Sequence, residues 1–157
     1  MSNRTAGSDW QEASSERSFQ TTSEGGLVIR TIVKQMTAHR YYEWDVFAVH
    51  VALEEAILNA IKHGNQHDPV KWVTVRYEVN SSRVLAEDED QGAGFNPGQV
   101  PDPTAPDNLE LPSGRGLLVM RNFMTWVRFN EVGNCVAMCR FRSGQGDEKT
   151  RRTLQSI

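Results

Sequence analysis

Glu55 and Asn59 stand four residues apart in the run LEEAILNAIKHGN, from Leu53 to Asn65, and on a helix that spacing puts a carboxylate and a carboxamide on one face. Such a pair can do chemistry. The carboxylate of Glu55 can accept a proton from an attacking hydroxyl, and the amide oxygen of Asn59 is a hard ligand suited to Mg²⁺. Lys62 and His63 lie one further turn along the same surface, whereas Glu54 points elsewhere. By itself the segment is better read as a solvated face with an incidental Asn, because Glu and Lys at spacings of three and four occur on any exposed helix.

Two glycine segments downstream reverse that balance. Asp90-Gln91-Gly92-Ala93-Gly94-Phe95 places a carboxylate at a strand end, just before two residues free to adopt positive φ. Asp90 can accept the exocyclic amine of adenine while Gly92 and Gly94 bring backbone against the base. Guanine presents a carbonyl oxygen at that place, so a carboxylate there predicts a clear preference for ATP over GTP. Ser113-Gly114-Arg115-Gly116 then opens a helix whose free N–H groups and positive dipole end can hold phosphate oxygens, with Arg115 adding a charged donor. No Gly-Lys-Ser/Thr follows, which excludes a Walker A loop, and no strand and third glycine stand as a dinucleotide fingerprint requires. Taken in order, the three segments read as one ATP site.

The elements that must position these residues are legible from periodicity. Asp45 is expected to cap a long helix on which Val46, Val49, Leu53, Ile57, Ala60 and Ile61 recur at threes and fours until Gly64 ends it. Trp72 to Val79 alternates as a strand, Asn80-Ser81-Ser82 turns, and a second strand starts near Val84, predicting an antiparallel hairpin. Five prolines and no periodicity between Pro97 and Pro112 predict a loop long enough to act as a lid. After it, Leu117, Leu118, Met120 and Phe123 continue the helix opened by Gly114 and Gly116. Strands from Trp126 to Glu131 and from Cys135 to Arg142 follow, joined tightly at Gly133-Asn134. Upstream, Arg17 to Thr22 suits a short edge strand, and Ser23 is the expected N-cap of a helix carrying Leu27, Ile29, Ile32, Val33 and Met36. Residues 1–16 are polar and read as a disordered tail, residues 17–142 as one domain and residues 143–157 as a polar tail.

A chain of 157 residues with a net charge of −3 has room for one core and no drive toward nucleic acid or an anionic membrane. No apolar run approaches the roughly 20 residues of a membrane helix, and the opening residues carry no signal-peptide core, so a reducing cytoplasm is expected. Cys135 and Cys139 are expected as small buried hydrophobes on one strand face. His63 and His67 are separated by the helix-ending Gly64 and so lose the geometry of a zinc pair. His39 and His50 have no chemical company.

With those residues in hand, the chain resembles the GHKL ATPase superfamily, and most closely its anti-sigma-factor serine kinase branch, over about residues 17–142. The resemblance rests on Glu55 and Asn59 within one box, Asp90-x-Gly92-x-Gly94-Phe95 in a second and Gly114-x-Gly116-Leu117 in a third, in the family's order. It implies a Bergerat-type two-layer α/β sandwich: a mixed, mostly antiparallel sheet covered on one face by about three helices, with ATP between the helix layer and a mobile lid. It also implies Glu55 as general base and Asn59 as Mg²⁺ ligand. Lys62, His63, Asp90, Gly92, Gly94, Phe95, Ser113, Gly114, Arg115, Gly116 and Leu117 would form the nucleotide site. The activity implied is phosphorylation of a serine on a small anti-anti-sigma partner of the STAS fold, with a sigma factor sequestered when that partner is absent; a homodimer is compatible with this. The alternative is a non-catalytic ATP-binding scaffold that sequesters its partner without phosphotransfer.

Two positions depart from the family pattern. Asn134 stands where many members carry Thr near the adenine, and its amide can serve through a water. Asp88 falls on the inward face beside Ala86, where an unpaired carboxylate would cost several kcal/mol or titrate to neutral. That residue predicts either a frayed strand or a partner.

Overall fold

Alternating hydrophobics in the strands and the three-and-four spacing in the helices divide the chain into two layers. The computed structural model describes residues 5–11, 14–96, 98 and 114–144. Its strands are β1 (Ser15–Phe19), β2 (Val73–Val79), β3 (Arg83–Glu89), β4 (Trp126–Phe129) and β5 (Cys135–Phe141), and its helices are α1 (Thr22–Ala38), α2 (Glu43–Asn59) and α3 (Arg115–Phe123). The sheet order is β1-β2-β3-β5-β4 with every adjacent pair antiparallel, the fully antiparallel form of the expected sandwich. No described helix is long and apolar enough to cross a membrane.

Period-two alternation sends Val75, Tyr77, Val84, Ala86, Val136 and Met138 to the inner face of the sheet, where they meet Ile32, Met36, Val49, Leu53 and Leu117 of the helix layer. Leu85, Ala137 and Cys139 take the opposite face. Both cysteines are buried free thiols, as expected, and burial pushes them up to about 12 at Cys135 and about 11 at Cys139.

Several boundaries differ from the sequence reading, each for a local reason. The N-cap of α1 is Thr21 and not Ser23: its side chain accepts the Glu24 N–H at 3.2 Å, and its hydroxyl donates to Glu24 Oε1 at 3.0 Å. Tyr42 holds the N-cap position of α2, so Asp45 lies within the first turn and does not cap it. Asp45 is instead fully buried, accepting from Arg140 Nε at 2.8 Å, from the Ser143 hydroxyl at 2.6 Å and from the Ser143 N–H at 3.1 Å. Strand β4 ends at Phe129, because the Asn130 carboxamide oxygen collects the N–H groups of Gly133, Asn134 and Cys135 and widens the connection beyond a tight hairpin.

Residues 5–11 differ from the expected tail. Gly7–Asp9 form a 3₁₀ turn, Ala6 packs against Leu85, Ala137 and Cys139, and the N–H groups of Thr5 and Ala6 donate to buried Glu87 Oε2 at 2.6 and 2.8 Å. Hydrogen bonds to a buried acid and the packing of Ala6 and Trp10 on the outer sheet face hold this segment, contacts distant in sequence that composition could not announce. The expected proline-rich lid (apart from Gly98), Ser113 and the chain from residue 145 lie outside the described residues.

Candidate functional site

The end of α2 does not stop at a plain terminator. Ala60–Gly64 form a π-helical turn, and the Asn65 N–H donates to the Ala60 carbonyl at 2.8 Å, one residue beyond α-helical spacing. The wider turn separates two neighbours that the sequence placed together: His63 lines the adjoining pocket, whereas exposed Lys62 is not among its lining residues. Gly64 lies directly against the Asp90 carboxylate, with no room for a Cβ between them, and Gly92 sits equally close to the Gly64 carbonyl. The helix end and the glycine turn are therefore packed backbone to backbone.

Asn65 ties these parts together, a role the sequence reading missed. At 3 % exposure, its Oδ1 accepts the Gln91 N–H at 2.8 Å and its Nδ2 donates to the Trp72 carbonyl at 3.0 Å. Gln91 Oε1 in turn accepts the Trp72 N–H at 2.8 Å. The available signal was an Asn directly after the helix-ending glycine, a residue type suited to holding non-helical backbone.

Asp90 follows the last residue of β3. Its Oδ1 accepts the Gly92 N–H at 2.8 Å, while its own N–H donates to the Asn134 carbonyl at 2.9 Å. Asn134 Nδ2 returns a bond to the Asp90 carbonyl at 3.3 Å, so Asn134 positions the acid through its backbone. Burial raises the Asp90 pKa; the Gly92 N–H opposes that shift, nearby Glu89 adds to it and Lys71 opposes it.

These groups border a pocket of about 410 Å³. The helix layer contributes Ala56, Asn59, Ala60 and His63; the sheet side contributes Asp88, Asp90 and Val136; the turns contribute Gly94, Phe95, Gly133 and Asn134; and Gly114, Leu117 and Met120 close it from α3. Phe95 stacks edge to face on Phe129, with ring centroids 5.2 Å apart, which fixes the turn carrying Gly94. A largely apolar cavity of this volume, with the side chains of Asp88 and Asp90 on its lining, has the size and polarity to take a purine.

Where α3 begins, Gly114 adopts a φ of +88° and leads directly into the helix. A Cβ on Gly116 would lie 2.8 Å from Glu55 Oε2 and 2.9 Å from Asn59 Nδ2, so the opening turn of α3 is seated against both side chains. The structure thus brings Glu55, Asn59 and Gly116 together. Arg115 is exposed beside them.

Strand β3 does not fray at Asp88, which is in register with Val75 on β2 and Val136 on β5. The residue is 2 % exposed, and neither carboxylate oxygen has a hydrogen-bond partner among the described residues. Burial, with a contribution from the Glu87 charge, pushes its pKa up to about 8.

Residues 19–140 match the family described as histidine kinase-like ATPase domain. The chain belongs to that family. It is also similar to the serine-protein kinase RsbW of Bacillus subtilis (strain 168), at 28 % identity over 127 residues that cover 75 % of this chain and 79 % of that protein. Both findings agree with the GHKL superfamily and the serine-kinase branch indicated by the three motifs. Membership in an ATPase-domain family makes ATP the nucleotide that the domain binds.

Proposed function

We propose that this chain is an ATP- and Mg²⁺-dependent protein serine/threonine kinase of the cytoplasm. In this reading it is an anti-sigma regulatory factor that phosphorylates a STAS-type anti-anti-sigma partner in a partner-switching system. The observation that carries the reading is the seating of Gly116 against Glu55 and Asn59, with Asn59 and Asp90 both lining one pocket. The similarity to a serine-protein kinase supports the choice of acceptor.

In this reading Asp90 accepts the adenine amine, and Gly94 and Gly133 leave the flat faces of the base in contact with backbone. The N–H groups opening α3, with Arg115, hold phosphate oxygens. Asn59 supplies an amide oxygen to Mg²⁺, which when bound neutralises charge on the phosphates. Glu55 accepts the proton of the partner's serine hydroxyl as its oxygen bonds the terminal phosphorus; the bond from that phosphorus to the bridging oxygen breaks, and ADP leaves with the electron pair.

The test is incubation of the protein with γ-labelled ATP and extract of the native host. Wild type should label a small protein on serine, and Glu55→Ala should lose roughly 10²–10⁴-fold in rate while still binding ATP. Equal labelling by Glu55→Ala would remove that residue from the chemistry. ATP binding without any labelled protein would favour the scaffold alternative.

A further inference from the structure

Strand β3 buries two consecutive acids, and their environments are opposite. Glu87, on the outer face, accepts from the Thr5 and Ala6 N–H groups and from Arg76 at 3.2 Å. Asp88, on the inner face, lies between Val75 and Val136 and has both oxygens without a partner among the described residues. A buried carboxyl left unpaired is costly and calls for an explanation, and at a pocket wall a group supplied by a ligand is one. The direction open to Asp88 is the pocket, which it lines together with Asp90.

We propose that Asp88 is a second base-reading group, whose carboxyl hydrogen-bonds a ring nitrogen of the purine next to the amine held by Asp90. This rests on the nucleotide reading above and adds a specificity determinant to it. A ring nitrogen offers a lone pair, so the contact requires the protonated acid, whose O–H donates. The surroundings favour that form. Burial is the main cause, the Glu87 charge on the same strand adds to it, and Cys135 on β5 supplies no positive charge. From the helix layer His63 and Asn59 line the same pocket. The pKa of about 8 at Asp88 agrees with a neutral carboxyl at physiological pH. Two carboxyl groups then divide the work: Asp90 accepts from the amine and Asp88 donates to the ring.

The experiment is calorimetric titration of the full chain with Mg²⁺-ATP, 1-deaza-ATP and 7-deaza-ATP, for wild type, Asp88→Val and Asp88→Asn. Asp88→Val should weaken ATP binding roughly three- to tenfold, the effect of one hydrogen bond. The same variant should raise the melting temperature of the nucleotide-free protein, because an unpaired buried carboxyl is gone. Asp88→Asn keeps an N–H donor and should bind ATP within about twofold of wild type. With the deaza analogue that lacks the nitrogen being read, wild type and Asp88→Val should bind alike. Wild-type binding of ATP with no loss in Asp88→Val would overturn this inference alone, as would a loss that persists undiminished with both analogues. Failure of wild type to bind any of the three nucleotides would overturn the nucleotide reading as well.

Discussion

Asp45 and Asp88 are both withdrawn from water, at 0 % and 2 % exposure, yet their surroundings have little in common. Around Asp45 the chain closes a complete network: Arg140 and Ser143 bond the carboxylate, and Arg140 also donates to the Phe123 carbonyl at 2.5 Å. Around Asp88 the chain supplies apolar strand neighbours and an opening to a pocket. One acid ties α2, the end of α3 and β5 to each other. The other is left unfinished at the floor of a cavity. A buried carboxylate paired within the fold serves the fold, and one aimed into a cavity without a partner marks what the cavity receives.

That contrast breaks if the two positions respond alike to substitution. Asp45→Ala leaves the Arg140 guanidinium buried without its counter-charge, and should destabilise the protein by about 3–5 kcal/mol in chemical denaturation. Asp88→Val should move stability in the opposite sense. A destabilising Asp88→Val would mean that the carboxyl has a structural partner after all.

A more gradual effect is the dependence on pH. Between the ordinary value of 3.8 and about 8, folded Asp88 holds a proton that the unfolded chain releases. Its contribution to stability therefore falls as pH rises through that window. Denaturation midpoints of wild type should decline relative to those of Asp88→Asn from pH 5 to pH 8. Parallel profiles would show that Asp88 titrates normally.

Much of the site was legible because its chemistry sits in short segments. Glu55 and Asn59 share a helix face by spacing alone, and Asp90 with its glycines announces a turn after a strand. The hairpin of β2 and β3 and the long helix followed from periodicity, and the two-layer form from the family resemblance. What escaped depends on contacts distant in sequence. Asp45 looks like an N-cap until Arg140, 95 residues away, is placed beside it. The π turn leaves no trace in hydrophobic spacing, so Gly64 was read as a plain helix stop. Thr21 had a readable signal, the Glu three residues later, obscured by two neighbouring hydroxyl residues that also suit a cap. Asp88 was visible as an anomaly; its strand is intact, and no described residue bonds its carboxyl, which lines an open cavity.

Calorimetry with Mg²⁺ present, comparing ATP with GTP on wild type and Asp90→Asn, addresses the central claim most directly. Saturable heat with ATP, much weaker binding of GTP and loss of that preference in Asp90→Asn is the predicted result. No heat with ATP from folded protein, or equal affinity for the two nucleotides, would contradict an adenine held by Asp90.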